Sequence, residues 1–214
     1  STGPADSVFR YGPMNADWWP LAGDWNGDGV TTVGLYDPLA GTFYLRNAHT
    51  PGVADVAFRY GPRNAGWYPL AGDWNHDGID TVGLYDPHTG VFFLRNAHTP
   101  GVADQHFRYG PLDPGWIPLV GDWNGDGTTT IGLYDGLAGL VYLRQTNTPG
   151  VANVIFRYGP VDNDWWPLAG DWNGDGADSI GLFKPATESF YLRDSNTAGM
   201  AEYPDENGFR ITVP

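Results

Sequence analysis

Asp24-Trp25-Asn26-Gly27-Asp28-Gly29 returns as Asp73 to Gly78, Asp122 to Gly127 and Asp171 to Gly176, with His76 standing where the other copies have glycine. A second motif, Phe-Arg-Tyr-Gly-Pro, opens at Phe9, Phe58, Phe107 and Phe156, so both keep one 49-residue period until the C-terminal tail. Such a period marks an array of one supersecondary unit. The repeats run 9–57, 58–106, 107–155 and 156–204, with 205–214 as a degenerate closing strand, and together they make a single repeat domain over 1–214. Phe9 to Asp55 and Phe58 to Asp104 differ at only ten of 47 aligned positions, closer than shared packing demands, which points to a recent or preserved duplication.

Each unit reads as short strands and no helix. Val8 to Tyr11, Leu21 to Trp25, Thr32 to Asp37 and Thr42 to Arg46, then an outer Val56 to Tyr60, are runs bounded by Gly, Pro, Asn and Asp. Within Thr42 to Arg46, Phe43 and Leu45 fall on one face and Tyr44 and Arg46 on the other. The 31 glycines and 18 prolines break helices but suit tight hairpins such as Asp37 to Gly41 and Asp86 to Gly90. Four strands per unit at this period predict an all-β chain, a β-propeller of four 49-residue, four-stranded blades. A β-solenoid, which uses shorter coils, is the weaker alternative. Phe209 to Val213 would be a fifth copy of the Phe-Arg strand against four copies of the others. Either the first strand is spare, or the chain is half of a larger ring closed by homodimerisation.

A net charge of −14, with 11 basic against 25 acidic residues, argues against nucleic acid and anionic membrane surfaces as partners. Eight of the basic residues are arginines at two fixed repeat positions, Arg10, Arg59, Arg108, Arg157 and Arg46, Arg95, Arg144, Arg193, an architectural placement. The absence of cysteine removes disulfides and thiolate metal sites. No run is long enough to insert in a membrane, and Ser1 to Asp6 lacks a signal-peptide core, as expected of a mature or excised part of an extracellular or cell-surface protein.

The acidic loop carries the chemistry. Ca²⁺ is a hard cation that takes six to eight oxygens, and carboxylates at alternate positions before a glycine turn can point several inward. The donors expected in the first copy are Asp24, Asn26 and Asp28 by side chain, the Val30 carbonyl, and Thr32 through its hydroxyl or a water. The equivalent sets are Asp73, Asn75, Asp77, Ile79 and Thr81; Asp122, Asn124, Asp126, Thr128 and Thr130; and Asp171, Asn173, Asp175, Ala177 and Ser179. Four ions, one per repeat, would bring the charge from −14 to −6 and relieve repulsion between paired aspartates. The competing reading is a plain hairpin turn, since Asn-Gly is a turn signal by itself. An EF-hand is excluded, because its bidentate Glu would fall at Leu35, Leu84, Leu133 and Leu182.

Gly-Asp-Trp-Asn-Gly-Asp-Gly followed by Val33-Gly34-Leu35-Tyr36 resembles the FG-GAP or VCBS-type repeats, the calcium-bearing blades of integrin α-subunit propellers and of many secreted bacterial proteins. The resemblance covers all four units and implies that the loop joins the first two strands of a blade. The chain departs from that family at the ninth loop position, where Asp is usual and Thr or Ser stands here. Asp80 and Asp178, one position earlier, are expected to compensate in the second and fourth copies.

All ten tryptophans lie in one stretch of the unit. The loop Trp25, Trp74, Trp123 and Trp172 are expected to pack between blades. The preceding pairs, Trp18-Trp19, Trp67-Tyr68, Trp116-Ile117 and Trp165-Trp166, are placed in a connecting loop. Their rings suit sugar CH groups if exposed, and otherwise serve interblade packing. His49 and His98 become Asn147 and Asn196 in later copies, which keeps hydrogen bonding and forfeits general-base chemistry, while His76, His88 and His106 are singletons. No nucleophile elbow, zinc-protease helix or phosphate loop is present, and a catalytic site is usually singular where everything notable here is fourfold. The sequence therefore predicts no enzyme. It predicts a calcium-binding extracellular binding or adhesion module for a protein or glycan surface ligand, or alternatively a multivalent lectin with one site per blade or blade junction.

Overall fold

The computed structural model describes residue 5 and residues 7–14, 16–112, 115–161 and 164–201. They fall into two compact units, one over Ser7–Leu112 and one from Asp113 onward. In the first unit β1 (Trp19–Gly23), β2 (Thr32–Asp37), β3 (Thr42–Leu45) and β4 (Val56–Arg59) form one sheet. The next sheet holds β5 (Tyr68–Gly72), β6 (Thr81–Asp86), β7 (Val91–Leu94) and β8 (Gln105–Arg108). The second unit has β9 (Ile117–Gly121), β10 (Thr130–Asp135), β11 (Leu140–Leu143) and β12 (Val154–Arg157), then β13 (Trp166–Gly170), β14 (Ser179–Lys184) and β15 (Ser189–Leu192). Every sheet is an antiparallel meander in chain order, the blade of a β-propeller, as the repeat period predicts. The fourth sheet has three described strands; Phe209 to Val213, with the rest of 205–214, lies outside the described residues.

Several boundaries differ from expectation, β3 ending at Leu45 and β4 at Arg59, one residue short of Arg46 and Tyr60. The first strand begins at Trp19, not Leu21, and ends at Gly23, because Trp19 pairs with Tyr36 and Gly23 with Thr32. Pro20 is tolerated there because β1 is the end strand of its sheet, where a missing N–H costs no ladder bond. Val8 to Tyr11 is not a strand. Its counterparts β4, β8 and β12 pair with β3, β7 and β11 of the preceding repeat.

The hairpins follow the turn chemistry. Asp37 Oδ1 accepts the N–H groups of Leu39 and Ala40, the Gly41 N–H donates to the Asp37 carbonyl at 2.8 Å, and Gly41 sits at φ 64°. In the fourth copy Lys184 and Glu188 replace the Asp and Gly, and Pro185–Thr187 tightens to a 3-10 turn that holds Glu188 at φ 54°. A left-handed backbone costs a residue with a Cβ about 1 kcal/mol.

Phe43 and Leu45 are fully buried and the alternation along β3 is as expected. In the first unit Trp25, Tyr36, Phe43, Leu45, Phe58 and Tyr60 cluster with Val82 and Leu84 of the second sheet. Trp123, Tyr134, Leu143, Phe156 and Tyr158 do the same with Ile180 and Leu182 in the second unit. Trp25 thus packs between two blades. Its ring lies over glycines: a Cβ on Gly23 would stand 2.7 Å from it, and one on Gly34 3.0 Å.

Candidate ligand pocket and acidic loops

The acidic loops are closed by their own amides. Asp24 Oδ1 accepts the N–H groups of Gly27 (2.8 Å) and Asp28 (3.2 Å), and Oδ2 that of Gly29 (2.7 Å). Asp28 accepts the Val30 N–H and an Asn26 side-chain N–H, both at 2.9 Å. The pattern recurs in the other copies: Gly78, Gly127 and Gly176 donate to Asp73, Asp122 and Asp171, while Asn75, Asn124 and Asn173 donate to Asp77, Asp126 and Asp175. Ile79, Thr128 and Ala177 repeat the Val30 bond. Backbone N–H groups, that of Gly176 foremost, hold the Asp171 carboxyl below the usual range.

These side chains fit a hard divalent cation in part. Asp24 Oδ2 and both Asp28 oxygens accept one hydrogen bond each, which leaves each a lone pair, and Asn26 shares their turn. Among the described residues no three His, Cys, Asp or Glu side chains form a metal-holding group, the third loop side chain being Asn. The ninth-position hydroxyls are placed elsewhere. Thr32 and Thr81 are buried in β2 and β6 and donate to the carbonyls of Gly23 and Gly72 at 3.4 Å. Thr130 donates to the Arg144 carbonyl at 2.9 Å and Ser179 to that of Arg193 at 2.5 Å.

Asp80 and Asp178 join blades. Asp80 Oδ2 accepts the Asp24 N–H at 2.7 Å, and the Asp80 N–H donates to the Asp24 carbonyl at 2.8 Å. Asp178 and Asp122 repeat both bonds at 2.8 and 2.7 Å. Burial pushes the Asp178 carboxyl up, against the backbone N–H of Asp122 that pulls it down. Thr31 and Thr129 hold this position in the other two copies.

The His-to-Asn exchange is isofunctional. The Nε2 atoms of His49 and His98 lie 3.0 Å from the carbonyls of Thr31 and Asp80, and Asn147 and Asn196 donate to those of Thr129 and Asp178 at 2.9 Å. A carbonyl only accepts, so the imidazoles donate. His98 also packs on Trp25 and Phe58, and its burial lowers its pKa below 6.5, favouring the neutral ring.

The aromatic pairs divide their labour. The first members pack on the third-strand aromatic of their own blade: Trp18 stacks on Tyr44 and Trp116 on Tyr142 at 4.7 Å, Trp67 stacks on Phe93 at 4.8 Å, and Trp165 lies tilted on Tyr191 at 4.7 Å. The second members open the first strands, so they are not in the connecting loop; Trp19 and Trp166 are exposed, and Tyr68 meets Trp19 edge-on at 5.3 Å.

Trp67 lines a pocket of about 410 Å³ with Tyr60, Gly61, Pro62, Leu84, Phe93, Gly101, Val102, Ala103 and His106. Phe93 continues the stack to His106 at 6.2 Å and 14°, the two being register partners on β7 and β8. Gly61, at φ 88°, lets the turn after β4 lie against Leu84, since a Cβ there would fall inside Leu84 Cδ1. Arg95 fixes the rim. Its Nη1 donates to the Val102 carbonyl at 2.9 Å and its Nε to that of Thr99 at 3.3 Å, holding Val102 in place although that residue is 82% exposed. Tyr60 is only 4% exposed, and its hydroxyl has no hydrogen-bond partner among the described residues. Burial raises its pKa, so the phenol keeps its proton. At the equivalent place Tyr158 donates to the Tyr191 carbonyl at 2.9 Å. The repeat motifs do not single out Tyr60, Phe93 or His106; the usable signal is His106 itself, which stands where the other copies have Ala57 and Ile155.

No family model matches the chain, and no curated protein does. Among solved structures, a lectin from Agrocybe aegerita, described for its specific recognition of non-reducing terminal N-acetylglucosamine, superposes with a TM-score of 0.52 over 88% of this chain at 16% identity. The chain spans about half of that protein, 54% of its length, and the likeness is one of fold.

Proposed function

We propose that the protein is a non-catalytic carbohydrate-binding β-propeller of the extracellular surface. The observation that carries this reading is the pocket at Trp67, where a row of three stacked rings borders about 410 Å³ of largely apolar space with a buried phenol that has no partner among the described residues. Its volume lies in the range of small-molecule sites, and aromatic faces take the CH face of a pyranose. The lectin of like fold supports the reading by analogy. A glycan array probed with the whole chain tests it, with glycans ending in N-acetylglucosamine as the first arm. Retention of at least one glycan class, abolished in Trp67→Ala, is expected. Silence across the array overturns the carbohydrate reading and leaves an adhesion module for a protein partner.

In the same reading the acidic loops hold calcium for stability, through Asp24, Asn26, Asp28 and the Val30 carbonyl and their counterparts. The cation would offset the charge of each aspartate pair. Chelation is expected to lower the melting temperature by several degrees, with recovery in Ca²⁺ and little in Mg²⁺. An unchanged melting temperature assigns the loops to hydrogen bonding alone.

A further inference from the structure

We propose that the four repeats are unequal binders: the pocket bounded by Tyr60 and His106 is the principal ligand site, and its preferred occupant is a sugar bearing an apolar acyl substituent. The proposal rests on the carbohydrate reading and adds valence and recognition chemistry to it. Trp67, Leu84, Phe93 and Val102 make an apolar wall. A fully hydroxylated ring pressed into it would lose hydrogen bonds to water without replacement. An acyl group solves both requirements: its alkyl end covers Leu84 and Trp67, and its carbonyl accepts the proton of the Tyr60 phenol, which has no partner among the described residues. The sugar ring then lies towards Val102 and the exposed His106, whose imidazole nitrogens reach ring hydroxyls.

The other copies lack parts of this set. Ala57 and Ile155 replace His106, Tyr44, Tyr142 and Tyr191 replace Phe93, and the Tyr158 hydroxyl is already bonded to a strand carbonyl. One dominant site per chain follows, in place of four equal ones.

Calorimetric titration of the whole chain with N-acetylglucosamine, and with glucose as the acyl-free comparison, tests the proposal. A stoichiometry near one per chain is expected, with glucose about tenfold weaker. Tyr60→Phe should weaken N-acetylglucosamine about fivefold and leave glucose unchanged, the size of one lost hydrogen bond. His106→Ala should weaken both about fivefold to tenfold. It is a safe variant, because Ala57 stands at that position in the first repeat. Four equivalent sites, or binding indifferent to both substitutions, overturns the proposal while the carbohydrate reading survives. The same holds if the array retains only glycans without acyl groups. A silent array sinks both.

Discussion

The junction of the first and second blades and that of the third and fourth obey one rule in their backbones and part company in their outward side chains. In both, an aspartate of the later blade grips the loop aspartate of the earlier one, Asp80 with Asp24 and Asp178 with Asp122. In both, a loop tryptophan donates its indole N–H to a second-strand carbonyl at 3.3 Å, Trp25 to Val33 and Trp123 to Ile131. The outward ladders differ. Trp67 lies flat on Phe93 at 10°, whereas Trp165 tilts 38° to Tyr191 and has the Lys184 ammonium 5.4 Å from its ring centre. At one junction the Tyr60 phenol has no hydrogen-bond partner among the described residues; at the other the Tyr158 phenol is spent on its own strand. Under the proposed carbohydrate reading, scaffold and recognition reside in different residues of one repeat, so that recognition would change in a single copy without disturbing the scaffold.

The equivalence of the two junctions can be broken at its core. Trp25→Ala and Trp123→Ala should each cost about 3–5 kcal/mol in denaturant unfolding, and clearly unequal losses would show that the shared rule is not the shared source of stability. Asp80→Thr and Asp178→Thr, which install the residue of the alternate copies, should each cost about 1–3 kcal/mol by leaving the N–H of Asp24 or Asp122 unpaired. Either variant melting like the parent protein would dissociate the aspartate grip from stability. The finest distinction is in pH. Burial holds His98 below its unfolded value of 6.5, so its contribution to stability is complete above that pH and declines as acid protonates the unfolded chain first. The counterpart in the second unit, Asn196, does not titrate. His98→Asn should therefore remove part of the stability loss between pH 7 and 5, read from melting temperatures; identical pH profiles would remove the histidine from the comparison.

Much of the scaffold was legible because turn residues and the repeat period are local signals. Asp37 to Gly41 announced its hairpin, and Phe43 and Leu45 their burial. The start of β1 was not legible, since Pro20 reads as punctuation until the pairing of Trp19 with Tyr36 places it on an end strand where it is harmless. Asp80 was readable as an acid near a loop but not as a grip on the neighbouring blade, because its partner lies 56 residues away. The pocket was hidden for a related reason. Fourfold motifs draw attention to what all copies share, whereas Phe93 and His106 differ from their counterparts, and Tyr60 reaches the pocket only when β4 hands the chain to the next blade.

That hand-over has a consequence for how such a chain can grow. Each of β4, β8 and β12 is encoded at the start of one repeat and completes the sheet of the repeat before it. Insertion or removal of 49 residues at any equivalent point therefore takes a fourth strand from one sheet and returns another of the same sequence type, so no sheet is left short. The near-identity of the first two repeats, ten differences in 47 positions, is what copying in whole 49-residue steps would leave behind.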